Sequence, residues 1–423
     1  MNHFEYQNGH LCCEEVKLAD IADTVSTPAY VYSTATLERH YDVFRGAFAP
    51  RDVLVAFAVK ANANIAVLAT LARKGAGADT VSQGEVERAL TAGVPADKII
   101  FSGVGKTETE LAFAVRAGVH QINVESVAEL ETLSRVAAAL NKKPAIAIRV
   151  NPDVGAGGHE KISTGKGDAK FGVSPEQALA LYARATEDKH LDAKGLAVHI
   201  GSQIRDLAPL EAAFRVMRSL AERLRNEGGE IERLDLGGGL GVPYFNEPDP
   251  PAPSEYAAMV ERVFEDFDVA LSFEPGRMIA ANAGVLISRV VRLQDRPRPI
   301  VVLDAAMNDL IRPAIYDAYH GIKPALEPAA GAEERAYDVV GPICETGDTF
   351  TRNRMLPQLQ EGDLVAFMTA GAYGAVMAST YNARPLAPEV LVRGDRFEVV
   401  RRRWEIADQL ALEKLPPWLE ESR

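Results

Sequence analysis

The chain has 423 residues, of which 47% are hydrophobic and 25% are charged, a composition typical of a folded globular protein. At this length we expect two domains, because a single hydrophobic core rarely grows so large. The formal net charge of −13 argues against nucleic acid or an anionic membrane as a partner, since phosphate groups select basic surfaces. Small anionic ligands are still allowed, because they need only a local group of donors.

The N-terminal segment, residues 1–16, contains acidic residues and no apolar core, so we predict no signal peptide. No apolar run approaches the roughly 20 residues that span a bilayer, and we expect no membrane partner. The cysteines Cys12, Cys13 and Cys344 are odd in number and lack metal-ligand spacing. They predict a cytoplasmic protein in a reducing compartment, without a disulfide framework or a metal site.

Short β-rich runs alternate with longer helical patterns through the first part of the chain. The predicted strands are residues 53–58, 77–80, 99–102, 121–124, 145–150, 195–199, 233–236 and 270–273. The predicted helices are residues 65–74, 83–92, 108–117, 127–140, 175–185 and 210–227. This alternation predicts a (β/α)8 barrel of the TIM type, and a doubly wound open sheet is the alternative.

Polar residues and glycines lie at or just past the ends of the predicted strands. They are Lys60, Asp79, Gly103, Glu125, Arg149, His199, Gly237, Gly238, Gly239 and Glu274. In a barrel these ends meet on one face, where barrel enzymes do their chemistry, whereas an open sheet would spread them along an edge. The pattern therefore favours the barrel, which we place at residues 34–278.

After about residue 278 the pattern changes to short strands separated by turns rich in Gly, Pro and Asp. The predicted strands are residues 285–293, 300–304, 335–340, 363–368, 389–393 and 396–401. They indicate an all-β second domain resembling a sandwich or barrel. A strand at residues 30–33 is expected to join it, which makes the second domain discontinuous, 1–33 plus 279–423.

Lys60 directly follows a buried apolar strand, where desolvation can lower the pKa of an amine and make it nucleophilic. A lysine at a strand end is more often a solvated charge, so Lys60 needs supporting neighbours. The run LDLGGGLG (234–241) supplies backbone N–H groups that can surround a phosphate, although such runs also serve geometry alone. Ser202, in HIGSQ (199–203), adds a hydroxyl group at the end of the preceding strand.

Glu274 and Arg277, in FEPGR (273–277), close the eighth predicted strand. A buried carboxylate needs a partner, and a protonated ring nitrogen would serve, while Arg277 can bind an anion. The alternative is a structural salt bridge between these two residues. A lysine nucleophile, a phosphate cradle, a carboxylate and His199 on neighbouring strand ends together indicate a pyridoxal-phosphate site.

The chain also resembles the diaminopimelate decarboxylases, which belong to the alanine-racemase-like, fold-type III pyridoxal-phosphate enzymes. The matching segments occur in family order along nearly the whole chain. They are FAVKANAN (57–64), DTVSQGEVERAL (79–90), FSGVGKT (101–107), RVNPDV (149–154), ISTGK (162–166) with KFGV (170–173), VHIGSQ (198–203), LDLGGGLG (234–241), EPGR (274–277), CETGD (344–348) and AGAYGAVMASTYNARP (370–385).

This resemblance implies specific roles in binding the cofactor. Lys60 would carry pyridoxal phosphate as a Schiff base, His199 would stack on its ring and Glu274 would pair with the ring nitrogen. The phosphate would be held by Ser202, Gly238, Gly239, Gly276, Arg277 and Tyr373. The related racemases place an arginine at the position of Glu274, so the glutamate favours a decarboxylase.

The resemblance also implies the substrate, meso-2,6-diaminopimelate, which would react through its own Schiff base with the cofactor to give L-lysine and CO2 in the final step of lysine biosynthesis. Arg277, Arg312, Tyr316 and Tyr373 would bind the substrate, with the arginines on its distal carboxylate. Cys344 would be the general acid that protonates Cα, and Glu345 would bind the distal ammonium group. Both would reach the site across a homodimer interface, so the two active sites would be shared.

Simpler alternatives are a surface ion pair for Arg312 and a buried small side chain for Cys344. A decarboxylase of carboxynorspermidine and a non-catalytic cofactor-binding protein are the alternative functions. Two departures from the family pattern are small: residues 155–158 are richer in glycine, ahead of the lid-like ISTGK segment, and Thr346 and Gly347 stand where many members have serine. We expect the second to be silent for function.

Overall fold

The computed structural model describes residues 2–155, 165, 170–244 and 249–420. The chain divides into two compact units, one formed by Thr36–Ala281 and the other by Met1–Ala35 together with Asn282–Arg423. The sequence pattern places these boundaries after residues 33 and 278. The predicted lid-like segment, 155–166, lies outside the described residues except at Gly155 and Gly165.

The N-terminal part of the discontinuous unit is a small antiparallel sheet followed by a helix and a strand. Its elements are β1 (Phe4–Gln7), β2 (His10–Cys13), β3 (Val16–Lys17), α1 (Leu18–Val25) and β4 (Ala29–Ser33). The apolar side chains of α1 and β4 pack into one core with those of later strands of the same unit. The N-terminal segment is thus an integral part of this unit.

The Thr36–Ala281 unit is a closed barrel of eight parallel strands. After α2 (Thr34–Gly46), the strands are β5 (Val53–Ala58), β6 (Gly77–Thr80), β7 (Ile99–Phe101), β8 (Gln121–Val124), β9 (Ala145–Val150), β10 (Asp192–Val198), β11 (Arg233–Asp235) and β12 (Ala270–Phe273). The helices that follow them are α3 (Ile65–Arg73), α4 (Gln83–Thr91), α5 (Glu108–Ala117), α6 (Val127–Leu140), α7 (Pro175–Glu187), α8 (Leu207–Asn226), α9 (Pro253–Val263) and α10 (Arg277–Ala280). β12 pairs with β5 and closes the barrel, so the barrel prediction is confirmed and the open sheet is excluded.

Local sequence signals start the barrel helices shortly after the strands end. The side chains of Ser82, Thr107, Ser126 and Ser174 accept hydrogen bonds from backbone N–H groups in the first turns of α4 to α7. Such caps satisfy N–H groups that have no partner within the helix. The loops before α4, α5 and α6 are short, whereas a long loop separates β9 from α7. The ends of the parallel strands lie on one rim of the barrel.

The other unit contains a nine-stranded sheet that begins with β4. Its remaining elements are β13 (Gly284–Gln294), β14 (Ile300–Leu303), α11 (Arg312–Tyr316), β15 (Ile322–Pro324), β16 (Glu334–Val340), β17 (Thr349–Pro357), β18 (Leu364–Phe367), β19 (Glu389–Arg393), β20 (Arg396–Arg401), α12 (Ile406–Leu410) and α13 (Pro417–Glu420). β4 pairs antiparallel with β13 and parallel with β19. β4 is thus hydrogen-bonded to strands from the C-terminal part of the chain.

Within the part of the chain that the structure describes, no helix combines the length and the apolar character needed to cross a bilayer.

Candidate active site

Lys60 lies in a single 3-10 turn, Val59–Ala61, directly after β5. Its Nζ atom is 3.0 Å from Oδ2 of Asp79, the third residue of β6. The Lys60 side chain is 35% exposed, whereas that of Asp79 is 0% exposed. The ammonium group is therefore held by a buried carboxylate and still faces open space. The sequence indicated the position of Asp79 at a strand end but gave it no role.

Glu274 follows β12 and is buried, and its carboxyl group hydrogen-bonds the buried side chain of Asp235 in β11. Burial and the nearby carboxylates of Asp235 and Asp79 raise the pKa of Glu274 well above its ordinary value. Asp235 is held by the amide nitrogen of Asn123 at 2.9 Å and the backbone N–H of Gly237 at 3.0 Å. These bonds favour charge on Asp235 and the proton on Glu274. The sequence pattern gave no signal for this pair.

His199 follows β10, and its Nδ1 atom accepts a hydrogen bond of 3.1 Å from the backbone N–H of Gly238. An accepting Nδ1 carries no proton, so the neutral ring has its proton on Nε2. Burial, together with the positive charges of Lys60 and Arg149, lowers the pKa of His199 well below its ordinary value. The imidazole is therefore a neutral aromatic surface at pH 7.

The glycines after β11 bring backbone close to neighbouring strand ends. A Cβ at Gly238 would collide with the backbone carbonyl of Glu274, and a Cβ at Gly239 would lie 2.7 Å from the carbonyl oxygen of Gly201. Gly276 is similarly enclosed, with Ala61 Cβ at 2.9 Å from its hypothetical Cβ. No larger residue fits at these positions. The glycines therefore allow neighbouring backbone segments to pack closely, and they can also bind a phosphate.

Arg277 is buried at the start of α10. Its Nη1 donates to the hydroxyl of Tyr244 at 2.8 Å, and its Nη2 donates to Oγ of Ser202 at 3.2 Å. Glu274 bonds Asp235 instead of Arg277, so the alternative of a Glu274–Arg277 salt bridge is wrong. Tyr244 was not predicted, although it stands three residues after the glycine run.

A second ion pair fixes the loops after β7, β8 and β9. Nη1 of Arg149 lies 2.8 Å from Oε1 of Glu125, and both side chains are buried. Glu125 also accepts backbone N–H groups from Gly103 at 2.8 Å and Gly172 at 3.2 Å. One carboxylate therefore joins three loops at the rim.

The barrel residues fit pyridoxal phosphate by their own chemistry. Oε1 of Glu274 is buried and has no hydrogen-bond partner among the described residues, and a protonated pyridine nitrogen would supply one. Lys60 offers an amine for an aldehyde, and His199 offers a flat neutral ring. Arg277 and the backbone N–H groups of the glycine run are suited to a phosphate.

In the β unit, Arg312 begins α11 and is buried, so the alternative of a surface ion pair is wrong. Its Nη1 donates to Nε2 of His320 at 2.9 Å, while Nδ1 of His320 donates to the carbonyl of Met368 at the same distance. The imidazole is thus a fixed neutral acceptor that orients the guanidinium. Tyr316 closes α11 and is half-buried.

Cys344 and Glu345 are exposed in the loop between β16 and β17. Exposure overturns the alternative reading of Cys344 as a buried small side chain. Tyr373 has a left-handed φ of 56°, and such backbone is uncommon for a bulky residue and concentrates at functional sites. These three residues and Arg312 belong to one unit, and the cofactor-binding residues of the barrel belong to the other.

Comparison with known proteins agrees with this chemistry. Residues 34–281 match the family model described as "Pyridoxal-dependent decarboxylase, pyridoxal binding domain". The chain is 48% identical over 422 residues to the diaminopimelate decarboxylase of Zymomonas mobilis, covering 98% of this chain and 99% of that protein. It is 49% identical over 418 residues to that of Pseudomonas aeruginosa, with 99% and 100% covered. The crystal structure of the Helicobacter pylori diaminopimelate decarboxylase complexed with L-lysine superposes with a TM-score of 0.90 at 37% identity, covering 94% of this chain and 99% of that one.

The barrel, the buried acid and the lysine at the end of β5 define a pyridoxal-phosphate-dependent decarboxylase, a carboxy-lyase, with pyridoxal 5′-phosphate as its cofactor. Within that class, identity above 40% over nearly the full length of both chains narrows the assignment. The chain belongs to the diaminopimelate decarboxylase family.

Proposed function

We propose that this protein decarboxylates meso-2,6-diaminopimelate to L-lysine and CO2 with pyridoxal phosphate, as the final step of lysine biosynthesis. The observation that carries the proposal is the buried carboxyl group of Glu274, whose Oε1 lacks a partner among the described residues. An acid at this point keeps a ring nitrogen protonated. When bound, the cofactor then supplies a strong sink for the electron pair that CO2 leaves on Cα.

The barrel side chains prepare this chemistry. Lys60 would be the covalent anchor, and Asp79 would hold its Nζ in place whenever the amine is free. His199 stacks on one face of the ring, since its neutral imidazole brings no second positive charge near Lys60. Ser202, Gly238, Gly239, Gly276 and Arg277 bind the phosphate, with Tyr244 orienting the guanidinium.

The proposed roles in the β unit concern the proton and the far end of the substrate. Cys344 gives the proton of its thiol to the carbon that has lost CO2, which completes the amine product. Arg312, with Tyr316 and Arg277, binds the distal carboxylate, and Glu345 binds the distal ammonium group. Tyr373 completes the phosphate site and contacts the substrate. The fixed neutral contact from His320 supports the role of Arg312, because it orients the guanidinium without neutralising it.

We propose further that the active form is a homodimer in the cytoplasm, with each active site completed by Cys344 and Glu345 of the other copy. Two features support this. Both side chains lie exposed on a loop, where a second copy can receive them, and all three cysteines are free thiols, as expected in a reducing compartment.

The test is CO2 release from a panel of substrates by the enzyme loaded with its cofactor. We expect release from meso-diaminopimelate with formation of L-lysine, and much slower release from lysine, ornithine and carboxynorspermidine. Faster release from carboxynorspermidine would make the protein that decarboxylase instead. Cofactor binding without CO2 from any of them would indicate a non-catalytic protein.

Arg312→Ala tests the distal contact within the same assay. Loss of a buried charged hydrogen-bond donor should raise KM for diaminopimelate roughly a hundredfold. Arg335→Ala is a suitable control, because Arg335 makes only an exposed ion pair with Asp295. Unchanged kinetics in Arg312→Ala would remove this residue from the substrate site.

A further inference from the structure

The loop that carries Cys344 and Glu345 has a fixed stem and exposed functional side chains. Asp348 is buried and accepts backbone N–H groups from Met307 and Ile343, each at 2.7 Å. These bonds tie the stem to a neighbouring segment of the same unit. They leave Cys344 and Glu345 themselves at the surface, where long side chains have rotamer freedom that an ordered site must restrict.

Two consecutive residues from a different segment lie next to Cys344 and Glu345. Oδ1 of Asn382 accepts the backbone N–H of Cys344 at 3.1 Å. The carboxylate of Glu345 lies near the hydroxyl of Tyr381 and raises the pKa of Tyr381. We call Tyr381 and Asn382 the Tyr-Asn clamp. The pairing runs in opposite order along the two segments: Tyr381 faces Glu345, and Asn382 faces Cys344.

The backbone of the clamp is strained in a way that favours this contact. Asn382 and Ala383 both have left-handed φ values of 56°. Asparagine tolerates this conformation, whereas it is unfavourable for alanine. Two successive left-handed residues turn the chain sharply, and the turn presents Asn382 to the Cys344 backbone.

The clamp rests on the segment that also holds the stem of the loop. The N–H of Ser379 donates to the carbonyl of Asn308 at 2.9 Å, and Nδ2 of Asn308 donates to the carbonyl of Ser379 at 3.1 Å. Arg384 donates to the carbonyl of Asp304 at 2.5 Å. Residues 304–309 therefore anchor both sides of the contact, so the clamp and the loop share one frame.

Gly347 leaves the space that the Glu345 carboxylate occupies. A Cβ at Gly347 would lie 2.9 Å from Oε1 of Glu345, closer than carbon and oxygen normally approach. The carboxylate is the far end of a flexible side chain, so a small side chain at position 347 would displace it.

We propose that Tyr381 and Asn382 are positioning residues for the reaction: Asn382 sets the place of Cys344, and Tyr381 sets that of Glu345. The inference rests on the proposed function, because it takes Cys344 as the proton donor and Glu345 as the ligand of the distal ammonium group. We assign the clamp residues no contact with the substrate or the cofactor. They act by restricting where the two functional side chains can lie.

Substitution of each clamp residue should change a different kinetic constant of the cofactor-loaded, full-length enzyme. Tyr381→Phe loosens the ammonium ligand and should raise KM for diaminopimelate roughly fivefold, with kcat within about twofold of wild type. Asn382→Gly keeps the left-handed backbone but removes the acceptor. It should lower kcat roughly tenfold, with KM nearly unchanged, because a general acid is sensitive to small displacements.

Matched variants control for structure alone. Tyr6→Phe removes a single hydroxyl bond to the carbonyl of Pro324 in the same unit. Asn353→Gly replaces an exposed left-handed asparagine in β17. Both should leave kcat and KM unchanged.

Asn382→Asp retains an oxygen acceptor and should restore most of kcat. Since Cys12 and Cys13 are buried, alkylation by iodoacetamide reports on Cys344, and it should be about threefold faster in Asn382→Gly.

Glu345→Gln and Cys344→Ala separate failure of this inference from failure of the proposed function. If they raise KM and lower kcat respectively while the clamp variants match their controls, the positioning roles are overturned and the function stands. Parallel changes of kcat and KM in both clamp variants would also overturn the inference, because they would indicate a general structural role. Unchanged kinetics in Glu345→Gln and Cys344→Ala would refute the roles on which the inference depends.

Discussion

At the scale of single residues, Lys60 illustrates how context converts an ordinary charge into a cofactor anchor. The sequence indicated only a lysine after an apolar strand, with polar companions at other strand ends. The structure adds the buried Asp79 carboxylate at 3.0 Å, which orients the amine. It also brings Asp235 against Glu274 across neighbouring strands. Neither contact has a local sequence signal, because each joins the ends of two neighbouring barrel strands that are separated in sequence by a helix and its loops.

Lys60→Ala should abolish the covalent attachment of pyridoxal phosphate, because no other amine is aligned by Asp79. The measurement is visible absorbance of the bound cofactor, followed by borohydride reduction and mapping of the modified peptide. Lys74→Ala, which removes an exposed pair with Asp42, should retain normal attachment. A reduced cofactor adduct surviving in Lys60→Ala would show that another lysine is the anchor.

At the scale of elements, strongly patterned strands and capped helices were predictable. β5, β6, β8, β9 and β12 have the predicted bounds, and of these β5 and β9 are the most apolar runs. β10 begins three residues earlier than predicted, at Asp192, because pairing with β9 extends it beyond its apolar core.

The missed elements lack a clear periodic signal. β17 (TFTRNRMLP) carries two exposed polar residues, Arg352 and the left-handed Asn353, so its strand character comes from pairing with β16. α9 was not among the predicted helices; it begins at Pro253 after a proline-rich stretch, and proline is favoured in the first turn of a helix. In both cases tertiary partners decide what local sequence leaves open.

Gly238→Ala tests the close approach of β11 and β12. The added Cβ would collide with the backbone carbonyl of Glu274, so the acid at the ring nitrogen and the phosphate loop would both move. We expect cofactor affinity to fall at least tenfold in equilibrium titration. Gly105→Ala, at a position with open space around the Cβ, should bind the cofactor normally. Equal affinities in the two variants would contradict the tight packing described for this loop.

The other end of the barrel strands gives a pH-dependent prediction. His120 lies just before β8, and burial together with the charge of Arg233 lowers its pKa from 6.5 to about 4. Nη1 of Arg233 donates to its Nε2 at 2.8 Å, which holds the ring neutral. Because the unfolded chain binds a proton below pH 6.5 and the folded chain does not, stability from this group is present above pH 6.5 and is lost as pH falls toward 4.

His120→Gln keeps an oxygen acceptor for Arg233 but cannot be protonated. Between pH 7 and pH 5 the variant should lose about 1 kcal/mol less unfolding free energy than wild type, allowing for solvent screening of a half-buried group. Urea unfolding at the two pH values measures this difference. A decrease in stability identical to that of wild type would show that His120 does not contribute to the acid sensitivity.

At the scale of the whole molecule, the sequence indicated the candidate site residues of each unit but not the neighbouring residues that hold them in place. The roles of Lys60 and Glu274 came from strand-end positions, whereas those of Arg312, Cys344 and Glu345 came only from resemblance. Their support by His320, Asp348 and the Tyr-Asn clamp depends on contacts between separate segments of the β unit. No local pattern encodes such contacts.

Shared active sites in a homodimer predict complementation between two inactive variants. Lys60→Ala lacks the anchor, and Cys344→Ala lacks the proton donor supplied to the other copy. When the two are co-expressed, mixed dimers should contain one intact site, which restores up to about a quarter of wild-type activity. Sizing of the mixture verifies that dimers form. Mixed dimers without recovered CO2 release would mean that both residues act within the same chain.

The most direct test of the account is a crystal structure of the cofactor-loaded enzyme with its product L-lysine. We predict that the side-chain amine of the product lies near Lys60, where CO2 was lost, and that its carboxylate contacts Arg312. The α-ammonium group should contact Glu345 of a second copy. If the carboxylate of the product lay away from Arg312, or if other residues bound its α-ammonium group, the proposed recognition of diaminopimelate by these side chains would be contradicted.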